Sequence, residues 1–447
     1  MKCIEDEIPF DLPEGWAWVR LGNLSAAIQY GLSNSAEPQG THRLLRITDI
    51  QDGKVDWNAV PFTTVNDPEA YLLKTGDIVF ARTGATVGKS FLITETPYPS
   101  VYASYLIRIR LLGSLSPEYI YQFFDSACYW SQITDKSVGV GQPNCNGTSL
   151  KELFIPLPPI SEQLRIVPTA QALLAYVAKI DAEKKSLLSI IMATKSKILD
   201  LAIRGQLIPQ DPNDEPASVL LERIRAEKEE LIKQGKIKRD KKESVIFRGE
   251  DNSYYEKMPD GKLHCLDDQL PFELPDGWEW CNLSMIGTTN IGLTYRPTNI
   301  EPDGVIVLRS CNIVNDQVDL SDLVRVKTTI RENQYVQKND ILICARNGSR
   351  ALVGKCALIP DLGEPASFGA FMAIYRTEYF EYIVHYLRSS FFRSVFDDSN
   401  STAINQLTQD MLKRAIVPLP PVFEQRRITE TIDAMLFELN QMEKSLI

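Results

Sequence analysis

The chain has 447 residues, of which 44% are hydrophobic and 24% charged. That composition excludes collagen, a disordered polyelectrolyte and a small disulfide scaffold, and the length allows about three folding units. With 48 basic against 58 acidic residues the net charge is −10, which excludes a uniformly basic nucleic-acid coat but leaves room for a local basic site.

Residues 1–7 are acidic where a signal peptide would be basic and then apolar. No apolar run reaches the roughly 18 residues of a membrane span. Eight cysteines include no C-x-x-C pair and there are three histidines, so a zinc site is not expected. Scattered free thiols suit a reducing compartment, and a cytoplasmic location is expected. Apolar and β-branched runs predict strands at 60–65, 77–81, 91–93 and 105–111, with Asp52-Gly53 and Thr83-Gly84 as turns. Ile120, Phe123, Phe124 and Ala127 have helical spacing and predict a helix over 117–130. Pro156, Pro158 and Pro159 stop this first domain, residues 1–159.

A helical stripe then runs through Leu164, Val167, Leu174, Val177, Leu187, Leu188, Ile191, Ile198 and Leu199, predicting a long helix over 160–204. At 1.5 Å per residue it would be a rod of roughly 60 Å. Pro168 predicts a kink or late start, and Gly205 a C-terminal stop. Residues 205–270 read as a linker with a charged helix at 217–235 and a basic run at 233–242. A second domain follows at 271–421, with a helix expected at 379–396, and a second long helix at 422–447.

This order of elements is one unit written twice. Residues 3–18 and 265–280 match at nine of sixteen positions, an offset of 262, and most other positions are conservative exchanges. Ile155-Pro156-Leu157-Pro158-Pro159 pairs with Val417-Pro418-Leu419-Pro420-Pro421, and Glu162-Gln163 with Glu424-Gln425. A repeat this long is a domain plus an appendage, far longer than a solenoid unit. The ends match and the middles diverge, as expected of two domains doing similar work on different targets. Each is expected to be α+β, with mixed short strands and helices. An exposed helix must bury its stripe, and the simplest partner is its own repeat, giving an antiparallel coiled coil between two separated domains.

Motifs suggestive of catalysis fail on spacing. Gly84-Ala85-Thr86-Val87-Gly88-Lys89-Ser90 has three residues between its glycines where a phosphate loop needs four, and its copy has five, with Cys356 replacing the hydroxyl. Leu157 stands where an amino-methyltransferase motif needs an amide or acid. What remains is recognition chemistry. Arginine can pair with guanine and asparagine or glutamine with adenine, while lysine on a glycine turn suits a phosphate. The candidate DNA contacts are Arg43, Arg46, Arg82, Thr83, Lys89, Gln142 and Asn144 in the first unit. In the second they are Arg296, Arg309, Arg346, Asn347, Arg350, Lys355, Asn405 and Gln406. The repeat predicts Arg46/Arg309, Arg82/Arg346, Lys89/Lys355 and Arg110/Arg376 as equivalent pairs, and Asp77 and Asp340 as structural. The competing reading is that these are surface ion pairs.

Pro-Glu-Gly-Trp-Ala-Trp-Val-Arg-Leu-Gly (13–22), the Pro-Leu-Pro-Pro and Glu-Gln-x-Arg-Ile segments (155–166), their copies at 275–284 and 417–428, and Arg-Gly-Gln-Leu-Ile-Pro-Gln-Asp-Pro (204–212) resemble the specificity subunit of type I restriction–modification systems. The resemblance implies two target-recognition domains, each reading one half of an interrupted site in double-stranded DNA, with two paired helices setting the gap. It implies two methyltransferase (M) subunits and motor–nuclease (R) subunits as partners and no membrane. It also implies a chain that catalyses nothing, with S-adenosylmethionine, ATP and Mg2+ on the partners. The alternative is a duplicated adaptor on a coiled-coil stalk that binds no DNA.

Overall fold

The computed structural model describes residues 8–51, 53–136, 144–237, 239, 244–397 and 406–446. The chain forms two compact units, Met1–Ala182 and Glu183–Ile447.

In the first unit β1 (Ala17–Arg20), α1 (Leu21–Leu24), β2 (Ser25–Tyr30), β3 (His42–Leu45), the hairpin β4 (Ile50–Gln51) and β5 (Lys54–Val55), β6 (Phe62–Thr63), β7 (Ile78–Ala81), β8 (Ser90–Leu92), β9 (Ser100–Tyr102) and β10 (Leu106–Leu111) precede the helices α2 (Pro117–Phe123), α3 (Ala127–Lys136) and α4 (Gly147–Lys151). Strand β11 (Phe154–Leu157) and the long helix α5 (Ile160–Ile203) follow. The main sheet is antiparallel in the order β2-β10-β7-β8, and a second sheet, β6-β3-β9, pairs β3 with β9 in parallel. Strand β7 is buried along its whole length, and its period of two divides its side chains between two cores. Ile78 and Phe80 join the helices, with Ile120, Phe124 and Tyr129. Val79 and Ala81 face Leu45, Trp57 and Tyr102.

The second unit adds α6 (Ala217–Lys233) and the sheet β12 (Val245–Arg248), β13 (Tyr254–Lys257), β14 (Leu263–Cys265). The segment read as linker is therefore partly a folded three-stranded sheet. The repeat then recurs as β15 (Glu279–Asn282), α7 (Leu283–Ile286), β16 (Thr288–Ile291), β17 (Ile300–Leu308), β18 (Ile313–Val314), β19 (Gln317–Val318), β20 (Val324–Val326), β21 (Ile341–Cys344), β22 (Cys356–Leu358), β23 (Ala366–Phe368) and β24 (Met372–Arg376). It closes with α8 (Phe380–Arg388), α9 (Ser390–Asp397), α10 (Gln409–Arg414), β25 (Ile416–Leu419) and α11 (Val422–Leu446). Its sheets, β16-β24-β21-β22 and β20-β17-β23, copy the first unit's topology, including a parallel pair, β17 with β23. Ile341 and Ile343 again face one core, and Leu342 and Cys344 another.

The conserved ends of the repeat meet in space. Strand β1 pairs with β11 and β15 with β25, placing Trp18 opposite Pro156 and Trp280 opposite Pro418. The Trp16 indole donates to Glu162 at 3.2 Å and Trp278 to Glu424 at 3.0 Å. Gln163 and Gln425 donate to the carbonyls of Pro158 and Pro420 at 2.9 and 2.8 Å. The Trp and Glu-Gln motifs are thus a clasp that closes each domain and fixes the start of the helix that leaves it.

Each single helix expected at 117–130 and 379–396 is broken in two, because a serine restarts it. The Ser126 hydroxyl accepts from the Tyr129 amide and Ser389 from the Phe392 amide, as helix N-caps do. The long helix starts at Ile160 and continues through Pro168, so the expected late start is not seen. It ends at Gly205, whose φ of 65° suits glycine.

Within the second unit, α11 runs antiparallel to the last turns of α5. Gln210 bridges the Gly205 carbonyl and Glu424 at one end, and Lys195 pairs with Glu443 at the other. Ile198, Leu199, Ala202 and Ile203 share a core with Ile428 and Ile432. Further back along α5, Leu174, Val177, Ile180, Leu187 and Ile190 are exposed, so the coiled coil covers only part of the predicted stripe. Among the described residues no helix is long and apolar enough to cross a membrane.

Candidate nucleic-acid interface

Arg82, Thr83, Lys89 and Asn144, and in the second domain Arg346, Lys355 and Gln406, meet where β7 and β21 leave their sheets. Beyond β7, Arg82 follows Ala81 into a turn, and its guanidinium lies 4.9 Å from the centre of the Tyr30 ring. Thr83 bridges to Asn144, which brings in the segment after the polar loop. The Arg82 amide donates to the Tyr105 carbonyl at 3.1 Å, so Tyr105 stands beside this cluster. The close approach of β2 needs glycine: a Cβ on Gly31 would lie 2.3 Å from the Tyr102 carbonyl oxygen.

The second domain repeats the arrangement with one change. Ala345 donates to the Phe371 carbonyl, as Arg82 does to Tyr105, and Arg346 bridges to Gln406, as Thr83 does to Asn144. Arg346 therefore occupies the register of Thr83, and the expected equivalence of Arg82 and Arg346 is off by one residue. In an extended segment one residue reverses the side-chain direction. Arg82 is half-buried against Tyr30, whereas Arg346 is exposed, its guanidinium 5.5 Å from the Phe371 ring centre. Neither arginine has a carboxylate partner among the described residues.

Lys89 and Lys355 are equivalent: their carbonyls accept from Ala81 and Cys344, each at 2.8 Å. Neither ammonium has an ion-pair partner among the described residues. The glycine turn before Lys89 is no phosphate cradle. The amides of Val87, Gly88 and Lys89 donate to Gly84, Ala81 and Thr86, so they are already used within the hairpin.

Other candidates are held elsewhere. Arg43 lies between Phe62 (3.9 Å) and Tyr98 (5.0 Å) and donates to the Val60 carbonyl. Arg46 makes a two-pronged ion pair with Asp49 at 2.6 and 3.0 Å, which holds its pKa above the usual arginine value. Arg309 caps the equivalent turn but pairs with Asp322 at 2.9 Å, because Asn312 replaces Asp49. Arg296 is exposed at the head of the Pro297–Asn299 turn, Arg350 begins the Arg350–Leu352 turn, and Asn347 accepts from Ser349 and donates to Ser310. Gln142 and Asn405 lie outside the described residues.

Arg110 and Arg376 are structural, as are Asp77 and Asp340. Arg110 grips Asp77 at 2.6 and 2.7 Å, and Arg376 grips Asp340 at the same two distances. Each aspartate also accepts from a turn amide, Lys74 or Gln337. These hydrogen bonds raise both arginine pKa values. Sequence reasoning missed Tyr30, Tyr105 and Phe371. For Tyr105 and Phe371 the available signal was an aromatic residue just before a strand, at matching positions of the two repeats.

Residues 13–190 and 275–447 match the family model of the type I restriction modification DNA specificity domain. The EcoAI type I restriction enzyme specificity subunit of Escherichia coli is 25% identical over 510 residues, covering 98% of this chain and 80% of that protein. The StySPI specificity subunit of Salmonella potsdam is 32% identical over 183 residues, 39% of each chain. Among solved structures, a chain from work on assembly and conformational transition of the type I R-M system superposes with a TM-score of 0.66 at 19% identity, covering 98% of this chain and 94% of that one. The HsdS subunit of Thermoanaerobacter tengcongensis gives 0.56 at 19% identity, covering 98% and 92%. The duplicated topology and the two family matches, which together span most of its length, show that the chain belongs to the type I restriction modification DNA specificity family.

Proposed function

We propose that this chain is the DNA sequence-recognition subunit of a type I restriction–modification complex, each repeat reading one half of a bipartite site in double-stranded DNA. The observation that carries this reading is the pair of cation clusters at equivalent sheet ends, Arg82 with Lys89 and Arg346 with Lys355, uncompensated among the described residues, in a chain of this family. Arginine and the amides of Asn144 and Gln406 suit base edges, and the lysines suit phosphates. The one-residue offset between Arg82 and Arg346 turns the two heads in different directions, which supports different half-sites. The chain itself is non-catalytic in this reading. The methyltransferase (M) subunits, two per chain, bring S-adenosylmethionine, the motor–nuclease (R) subunits bring ATP and Mg2+ chemistry, and the assembly works in the cytoplasm. The net charge of −10 fits a subunit whose partners supply much of the phosphate contact.

The test is to express the chain with its methyltransferase partners and map methylated adenines. One interrupted motif is expected, lost when this chain is omitted. Methylation that persists without the chain, or that lacks a bipartite motif, refutes the reading. An adaptor that binds no DNA would leave methylation unchanged.

A further inference from the structure

We infer that Tyr105 and Phe371 are base-contacting residues, one for each half-site, whose rings meet the apolar edge or face of a base beside the arginine contact. The inference rests on the DNA-recognition reading and adds specificity-determining residues to it.

The two rings share one position in the repeat. Tyr105 ends the turn between β9 and β10, and Phe371 ends the turn between β23 and β24. The Leu106 amide donates to Ala103 and the Met372 amide to Gly369, both at 2.8 Å, so each aromatic is the third residue of a closed four-residue turn. The backbone behind each ring is also tied to the neighbouring strand end. The Tyr105 carbonyl accepts from Arg82, and the Phe371 carbonyl accepts from both Ala345 and Arg346 at 2.9 Å. Gly292 reinforces the second turn, since a Cβ there would lie 2.2 Å from the Gly369 carbonyl oxygen.

Despite this rigid mounting, Tyr105 is 62% exposed and Phe371 61% exposed. The next residues in the chain, Leu106 and Met372, are fully buried, so the turn has an apolar anchor and presents the ring to solvent. A ring left in water forfeits most of the stabilisation that burial would give. Two domains whose loops have otherwise diverged nevertheless retain it at the same place.

The surroundings select the partner. Beside each ring stands an arginine with no carboxylate partner among the described residues, Arg82 or Arg346. An apolar protein surface would leave those guanidinium groups buried and unpaired. A base step offers acceptors to the guanidinium and an apolar edge or π-face to the ring. In the first domain Arg82 rests on Tyr30, and among the described residues no cation lies over the Tyr105 ring, while in the second Arg346 shares the Phe371 ring. The rings also differ by one hydroxyl, so the two contacts need not favour the same base.

The experiment uses the full chain reconstituted with its methyltransferase subunits. Affinity is measured for the methylated motif and for duplexes carrying each single base-pair substitution, with wild type, Phe371→Ala and Tyr105→Ala. Phe371→Ala should weaken binding of the cognate duplex about 5- to 20-fold. It should flatten the penalty at one or two adjacent pairs of one half-site, and leave the other half-site and the salt dependence unchanged. Tyr105→Ala should do the same at the opposite half-site. Melting temperatures should match wild type because both rings are exposed. A wild-type complex indifferent to sequence overturns the DNA reading and this inference together. A wild type that discriminates, with alanine variants that keep its affinity and base preferences, overturns the inference alone. So does a loss that is equal for all duplexes, or a loss of subunit assembly in place of base discrimination.

Discussion

Replacing Lys355 and Arg346 separately with alanine should have different consequences, although both remove one positive charge from the same sheet end. Lys355 is pinned by its carbonyl to Cys344, and its ammonium has no ion-pair partner among the described residues. If it holds a phosphate, Lys355→Ala releases about one fewer counterion and lowers the slope of log affinity against log salt by about 0.9. Between 50 and 200 mM salt that amounts to about a 3.5-fold smaller loss of affinity, applied equally to every sequence. Arg346 is exposed and supported by the Phe371 ring, beside Gln406. If it pairs with a base, Arg346→Ala costs about 1–3 kcal/mol, roughly 5- to 150-fold, concentrated at one position of one half-site. The assay is equilibrium binding of the reconstituted complex to a single-substitution duplex panel, repeated across salt concentrations. A change of base preference in Lys355→Ala, or a sequence-independent loss in Arg346→Ala, would show that the two roles are wrongly assigned.

Asp340→Ala should destabilise the second unit by about 2–4 kcal/mol, because it strips Arg376 and the Gln337 amide of their acceptor. Solvent screening of Arg376, which is a third exposed, keeps this loss below that of a fully buried pair, and denaturant unfolding measures it. Gly292→Ala should lower the melting temperature and expose the β23–β24 turn to hydrogen exchange, since its Cβ would collide with the backbone of Phe368 and Gly369. Burial raises the Glu424 carboxyl above the usual carboxylate pKa, partly offset by the Trp278 hydrogen bond. The folded state therefore binds this proton more tightly than the unfolded state. The contribution is full below about pH 4 and is lost as pH rises through the raised folded pKa. Glu424→Gln should flatten that part of the profile of melting temperature against pH; an unchanged profile would place the titration elsewhere.

The duplication, the α+β class of each copy and the long helix that follows each were legible in the chain itself. Each depends on near-neighbour chemistry: residues at fixed offsets, the period of two in strands such as Ile78–Ala81, and the helical period after Pro159. The site was only partly legible. Arg82, Lys89, Arg346 and Lys355 stand out as cations beside turns, but their freedom from carboxylates among the described residues, and the capture of Arg46 by Asp49 and Arg309 by Asp322, depends on which side chains meet. The register that separates Arg82 from Arg346 was beyond sequence comparison, because a one-residue insertion can be placed on either side of an arginine. The bridges of Thr83 to Asn144 and of Arg346 to Gln406 locate it, together with the hydrogen bonds of Ala81 to Lys89 and of Cys344 to Lys355. The helix breaks at Ser126 and Ser389 and the exposed stripe on α5 were likewise settled in three dimensions. Periodicity states that a face is apolar, whereas capping contacts and the reach of α11 decide where a helix stops and how much of that face is covered.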